Sequence, residues 1–304
     1  MQARPKAPAD LLAALRPAGA PEPGRRAVLI GLIGRGIGPS RSPIMHEREG
    51  ARFGLDYAYR LVDFDQLGLD DGTLHAVIAA AEELGFSGLN VTHPFKQGIV
   101  ACLTELSPDA AAIGAVNTVV FKDGGRIGHN TDSWGFAESF RESMAGCGLD
   151  HVLQLGAGGA GAAVAHALLD LGAAQLVLFD TSGTRAEQLA DRLNARFGNR
   201  VEVVADIETA FARAGGVVNT TPVGMAKYPG LPFAPGLLSP RHWVAEIIYF
   251  PAETALLRLA RERGCRTLSG LGMAVNQAVR AFELFTGIKP DKAAMTRHFA
   301  EGGP

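Results

Sequence analysis

The stretch from Val152 to Leu171, VLQLGAGGAGAAVAHALLDL, admits few folds. The strand-like run Val152–Leu155 passes directly into Gly156-Ala157-Gly158-Gly159-Ala160-Gly161, and an alanine-rich helical pattern, Ala160–Leu171, follows and stops at Gly172. A strand that turns through glycine straight into a helix opens a βαβ unit, and G-x-G-x-x-G at that turn is a dinucleotide-binding fingerprint. The first glycine permits the tight turn, the second lets a pyrophosphate approach the backbone, and the third lets the helix pack close to the sheet. Amides at the helix N-terminus then face the phosphates. A glycine-rich turn that holds no ligand is the plainer alternative. Asp180 ends the next strand, 24 residues after Gly156. An acid there can accept hydrogen bonds from the ribose hydroxyls of NAD and repel the 2′-phosphate of NADP, or it can simply cap the turn. Thr181-Ser182-Gly183-Thr184 supplies no cation, and Arg185 is the nearest one. NAD is the expected cofactor, with NADP possible.

The rest of the chain carries the same α/β alternation. A first series places strands at Val28–Ile33, Tyr57–Val62, Gly88–Val91 and Val116–Phe121, with a helix at Leu74–Leu84. A second series has strands at Val152–Leu155, Leu176–Phe179, Val201–Val204, Gly216–Asn219 and Trp243–Ile248, with helices at Ala160–Leu171 and Arg185–Phe197. It reads as a doubly wound nucleotide-binding domain. Helical patterns at Glu253–Arg263 and Met273–Thr286 close the chain. With 47% apolar and 20% charged residues the balance is globular, and 304 residues suit two domains. The net charge of −2 leaves no electrostatic footprint for nucleic acid or an anionic membrane, and no apolar run reaches the length of a spanning helix. Cys102, Cys147 and Cys265 have neither zinc-ligand nor disulfide-framework spacing, so no metal is expected and reduced thiols in the cytoplasm are the simple reading.

Four segments of the first series are more polar than a fold alone demands: Ser40-Arg41-Ser42-Pro43, Asn90-Val91-Thr92-His93-Pro94-Phe95-Lys96, Gly114-Ala115-Val116-Asn117-Thr118 and Gly128-His129-Asn130-Thr131-Asp132. Each alone reads as a capped turn. Two of them lie at carboxyl ends of strands, where open α/β sheets bind ligands, and together they suit a neutral polyol carrying a carboxylate. With Gly156–Gly161 and the closing Gly270-Leu271-Gly272-Met273…Gln277, these motifs resemble the shikimate/quinate dehydrogenase family from about Ala27 to Phe299.

The resemblance implies that Ser40 and Ser42 hold a substrate carboxylate with Tyr249 nearby, and that Asn90, Thr92, Asn117, Asp132 and Gln277 bind ring hydroxyls. Lys96 and Asp132 would be the catalytic pair, a role that suits proton relay from an alcohol losing hydride. The cofactor would lie against Gly156, Ala157, Gly158, Gly159, Ala160, Gly161, Asp180, Thr220, Thr221, Pro222, Gly270 and Met273. His46, His93 and His129 read as packing or supporting residues, with direct substrate contact as the alternative. The implied fold is α/β with two domains: a substrate-binding α/β domain (27–130 plus 268–304) and a Rossmann-type NAD(P)-binding domain (131–267), with a cleft between them and a loosely ordered extension over 1–26. Where NADP-using members carry Asn-Arg-Thr, this chain has Asp180-Thr181-Ser182, which favours NAD and oxidative use. Glu246 stands where Asp is commoner. The expected function is an NAD(P)-dependent shikimate or quinate 3-dehydrogenase, monomeric or homodimeric. An aminoshikimate or other modified-cyclitol dehydrogenase, and a non-catalytic metabolite sensor, are the alternatives.

Overall fold

The computed structural model describes residues 8–15 and 24–301 and divides into two compact units. One runs to Thr131 and resumes at Ala278; the other spans Asp132–Gln277. The return to the first unit therefore comes after Gln277, inside a helix, and not at residue 267.

The first unit begins with helix α1 (Pro8–Leu15), then β1 (Ala27–Gly34), α2 (Ser42–Arg52), β2 (Asp56–Asp63), α3 (Phe64–Leu67) and α4 (Leu74–Glu83). It continues with β3 (Gly88–Val91), β4 (Glu105–Leu106), α5 (Pro108–Ile113), β5 (Thr118–Lys122) and β6 (Gly125–His129). The sheet order is β2-β1-β3-β5-β6-β4. β1 pairs in parallel with β2 and β3, while β3–β5 and β5–β6 are antiparallel. This register sets Asn90 beside Leu32 on one side and Thr118 on the other. The strand expected from Val116 starts at Thr118: Val116 N turns away to donate to the Lys96 carbonyl at 2.7 Å, and Asn117 N makes the last bond to β6, at His129 O, 3.1 Å.

Part of the N-terminal extension corrects the expectation of loose order. Leu11 and Leu15 of α1 are buried in one apolar cluster with Val77, Ile78 and Ala81 of α4, and α1 packs on that helix. Their i, i+4 spacing gives the short helix an apolar face to bury. Residues 1–7 and 16–23 of the extension lie outside the described residues.

The second unit opens with α6 (Thr131–Ser143), whose first residue still belongs to the first unit. There follow β7 (His151–Leu155), α7 (Gly159–Asp170), β8 (Gln175–Phe179), α8 (Gly183–Phe197), β9 (Val201–Val203), α9 (Ile207–Arg213) and β10 (Gly216–Asn219). Then come β11 (Trp243–Glu246), α10 (Ala255–Glu262), β12 (Arg266–Leu268) and α11 (Gly270–Thr286), with α12 (Lys292–Glu301) closing the first unit. All six strands of this second sheet are parallel, in the order β12-β11-β10-β7-β8-β9. That is the doubly wound order of a Rossmann-type domain. The strand expected over Trp243–Ile248 stops at Glu246, because its ladder to β12 spans only Trp243 to Ala245 and its ladder to β10 ends at Asn219.

Leu11 is 1% exposed. Leu11→Ala is therefore expected to cost about 2–4 kcal/mol by transfer and cavity terms, read as a lowered denaturant midpoint. An unchanged midpoint would show that α1 contributes nothing to the first unit.

Candidate functional site

Strand order in the second sheet reverses between β7 and β10, the topological switch point at which open α/β sheets bind ligands. Gly156–Gly161 leave β7 there, and Thr220-Thr221-Pro222 leave β10 beside them. Gly156 adopts φ +99°, and a Cβ on it would sit 2.7 Å from Thr220 Oγ1. A Cβ on Gly161 would lie 2.5 Å from the Gly156 carbonyl oxygen, so loop and helix touch backbone to backbone. Thr220 Oγ1 lies 2.8 Å from the Leu155 carbonyl and 2.9 Å from that of Gly156, and buried Gln154 Nε2 donates to Gly156 O and Gly161 O, both at 2.9 Å. The loop is thus fixed from beneath. No side chain caps α7, whose N-cap is Gly158, so its first amides are presented for an anion. Ala157 is buried, while Gly159 and Ala160 begin the helix half-buried.

Asp180 closes the opposite side. Its Oδ2 accepts from Ala157 N at 2.7 Å, its Oδ1 accepts from Ser182 N at 2.8 Å, and Arg185 Nη1 approaches Oδ1 at 3.6 Å. Asp180 therefore caps the turn after β8 and also ties it to the glycine loop. Gly270, the first residue of α11, is required by contact: a Cβ there would sit 2.2 Å from the Ile247 carbonyl oxygen. Met273 lies buried one turn further along α11.

Beside this loop lies a residue to which sequence reasoning gave no role. Glu246, 1% exposed, accepts from Asn219 Nδ2 on both oxygens at 3.1 Å, from Ile248 N at 3.1 Å and from Thr254 Oγ1 at 3.2 Å. Burial pushes its pKa up to about 7 against the pull of these donors. Tyr249 follows two residues after Ile247 and is 41% exposed. Gln277 is half-buried on α11, with Nε2 donating to Ala274 O at 2.9 Å.

In the first unit, the structure brings the predicted asparagines together. Asn90 Oδ1 accepts from Tyr59 Oη at 2.8 Å, and its Nδ2 donates to Thr118 Oγ1 at 3.0 Å and Asn117 O at 3.3 Å. Asn117 Oδ1 accepts from Thr131 N at 2.7 Å, and its Nδ2 donates to Thr131 Oγ1 at 2.9 Å. Both side chains are thus braced, which the motifs alone do not reveal. Thr92 leaves the sheet just after β3, its amide donating to Ile33 O at 2.9 Å, and Lys96 sits half-buried in the following turn. Ser42 opens α2, its amide donating to Ser40 Oγ at 3.3 Å. Buried Asp63 holds the loop before these serines, accepting from Gly36 N at 3.0 Å and Ile37 N at 2.9 Å. Asp132, buried in the first turn of α6, falls with Tyr249 and Gln277 in the second unit. Of the histidines, His46 is buried with Nδ1 2.9 Å from Tyr57 Oη, and burial holds its pKa down at about 3, a packing role in the neutral form. Burial also lowers His129, and His93 is exposed.

A cavity of 640 Å³ lies at the other end of the second sheet, lined by His151, Arg213, Arg241, Trp243 and Arg266 among others. Arg266 and Arg241 are committed to carbonyls at the ends of α6 and α9, so they cap helices there.

Two family models match the chain: "Shikimate dehydrogenase substrate binding domain" over residues 32–119 and "Shikimate 5'-dehydrogenase C-terminal domain" over 270–298. A shikimate dehydrogenase (NADP(+)) of Streptomyces avermitilis is 53% identical over 276 residues, covering 90% of this chain and 95% of its own. The chain belongs to the shikimate dehydrogenase family. A quinate/shikimate dehydrogenase (NAD(+)) of Corynebacterium efficiens is 46% identical over 277 residues, covering 90% of this chain and 98% of its own. Among solved structures, quinate dehydrogenase from Corynebacterium glutamicum in complex with NAD superposes with a TM-score of 0.85 at 45% identity, covering 91% of this chain and 99% of that one. The glycine loop, Asn90, Asn117 and the serine pair are thus read within this shikimate dehydrogenase fold.

A carboxyl whose folded pKa lies above its unfolded value is favoured in its protonated form, so its stabilising contribution is fully present below the unfolded pKa of about 4.5 and is lost as pH rises through about 7. Glu246→Gln removes this dependence. The unfolding free energy of the variant relative to the wild type should therefore gain about 3 kcal/mol between pH 4.5 and pH 8, measured by chemical denaturation. A difference independent of pH would show that Glu246 does not titrate in that window.

Proposed function

We propose that the chain is an NAD-preferring dehydrogenase that interconverts the 3-hydroxyl of shikimate or quinate with the corresponding 3-dehydro compound. The observation that carries this reading is its kinship, at 53%, 46% and 45% identity over nine-tenths of the chain, with enzymes named for those two substrates. In this reading Ser40, Ser42 and Tyr249 hold the substrate carboxylate, and Asn90, Thr92, Asn117, Asp132 and Gln277 hold ring hydroxyls. The bracing of Asn90 and Asn117 supports that role, since a pre-positioned amide loses little rotamer entropy on binding. The nicotinamide, when bound, accepts the hydride. Lys96 then contacts the reacting oxygen, relays its proton to solvent and stabilises the developing alkoxide, while Asp132 orients the lysine and the substrate. Every residue so assigned comes from one chain, so a monomer or a homodimer serves alike. The three unpaired thiols suit the cytoplasm as its compartment.

Asp180 supports NAD over NADP, because a buried carboxylate between the glycine loop and the 180–182 turn opposes a 2′-phosphate. A second reading, NADP use, is favoured by the Streptomyces relative's name and by Arg185, 3.6 Å from Asp180. Initial rates with shikimate and quinate, each with NAD and NADP, test both readings. Oxidation of neither cyclitol with either cofactor overturns the proposal. Lys96→Ala should lower kcat by about 10²–10⁴-fold with little change in KM, the mark of an interaction made in the transition state. A defect in KM alone would make Lys96 a binding residue only. Asp180→Ala should erode the preference for NAD by about tenfold or more in kcat/KM. An unchanged NAD/NADP ratio would leave Asp180 as a cap of its turn.

A further inference from the structure

Glu246 sits where two segments of the second unit meet. Asn219, its partner on β10, also receives Thr221 N at 3.1 Å and Thr221 Oγ1 at 2.7 Å on Oδ1, so it fixes the Thr220–Pro222 segment that flanks the glycine loop. Ile248 N and Thr254 Oγ1 belong to the other segment, which carries Tyr249. That segment is pressed from its far side by Gly270, whose absent Cβ leaves room for the Ile247 carbonyl. Gly224 closes the pocket: a Cβ there would lie 3.5 Å from Glu246 Oε2 and 3.1 Å from Ile248 Cδ1. One buried carboxylate thus takes hydrogen bonds from both segments, and among the described residues no ion pair reaches it.

We infer that Glu246 is a positioning residue that sets the cofactor-flanking segment 220–222 and the Tyr249 segment in one fixed relation. The inference rests on the proposed function for the identity of the two ligands. Its physical ground is polar satisfaction. Without the carboxylate, Ile248 N and Thr254 Oγ1 are buried donors short of an acceptor and Asn219 Nδ2, which keeps Val223 O at 3.0 Å, has one hydrogen stranded, at about 1–3 kcal/mol each, and the two segments relieve this by moving toward water. Glutamine replaces most of it: its oxygen in the Oε1 position keeps Asn219 and Ile248, and its amide donates to Thr254 Oγ1, which accepts it beside Leu257 N and turns its own hydrogen away.

The test compares full-length wild type with Glu246→Ala, Glu246→Gln and Thr254→Val, measuring NAD affinity by calorimetry and KM and kcat for shikimate and quinate. Glu246→Ala should weaken NAD binding about tenfold and raise KM for the cyclitol about fivefold or more, with kcat changed less than about threefold. Glu246→Gln should stay within about threefold of wild type in both. Thr254→Val removes the Thr254 bond on the Tyr249 side together with the α10 N-cap bond that Leu257 N makes to Thr254 Oγ1 at 3.2 Å, and should raise KM for the cyclitol about threefold while leaving NAD affinity unchanged. Wild-type constants in Glu246→Ala, or equal losses in the Ala and Gln variants, overturn the inference. Should the Ala variant not fold, Thr254→Val decides: an unchanged KM, or an NAD affinity that falls with it, overturns it. A wild type that binds NAD but oxidises neither cyclitol defeats the proposed activity alone, and NAD affinity across the Glu246 variants then decides the positioning role.

Discussion

At the carboxyl end of a parallel strand the ladder stops, and the next backbone groups must find acceptors and donors elsewhere. In this chain, buried polar side chains meet that need at most of the strand ends that matter. Gln154 and Thr220 serve the carbonyls around Gly156, Asp180 the amides of Ala157 and Ser182, and Asp63 those of Gly36 and Ile37. Glu246 serves Ile248, and Asn117 serves Thr131. Gln154, Asp63, Asn117 and Glu246 are buried and Asp180 and Thr220 half-buried, so the hydrogen bonds they make are costly to lose. The loops are rigid where they carry the site because the fold has to satisfy them there.

The parts of the fold legible in the sequence are those with an uninterrupted pattern. β7, the glycine loop and α7 are one continuous statement of apolar run, glycines and alanine-rich helix, and the strands β8 to β11 follow from apolar runs between helix-stopping glycines. The parts that escaped lack such a pattern. β4 has two residues and β12 three, too few for a period to register, and β6 contains two glycines and owes its place to the hairpin with β5. α1 escaped because proline and alanine around Leu11, Leu12 and Leu15 read as a loose tail, whereas two leucines one turn apart sufficed to dock it on α4.

In the candidate site, side chains in polar motifs were legible and lone polar side chains inside apolar strands were not. Asn90 and Asn117 stand in recognisable polar segments, yet their bonds to Tyr59, Thr118 and Thr131 depend on sheet register, which the segments do not encode. Gln154 and Glu246 are single polar letters in apolar strands. The signal that could have found them is that very misfit: a polar residue in a fully buried parallel strand has to be paired. Applied to VLQL and WVAE, that rule points to Gln154 and Glu246, each next to the turn that leaves its strand.

Relatives at 53% and 46% identity are named for different cofactors, so identity over the whole chain does not fix cofactor choice. On the proposed reading, the 2′ position is met by the few atoms beyond β8. There Asp180 is anchored through both oxygens by backbone amides, so it cannot swing away from a phosphate, whereas Arg185, 55% exposed on the first turn of α8, is free to approach or leave. A fixed charge discriminates more strongly than a mobile one, since the mobile side chain loses rotamer entropy on being held and is screened by solvent. On the proposed reading, selectivity turns on the anchored carboxylate that this chain carries at Asp180.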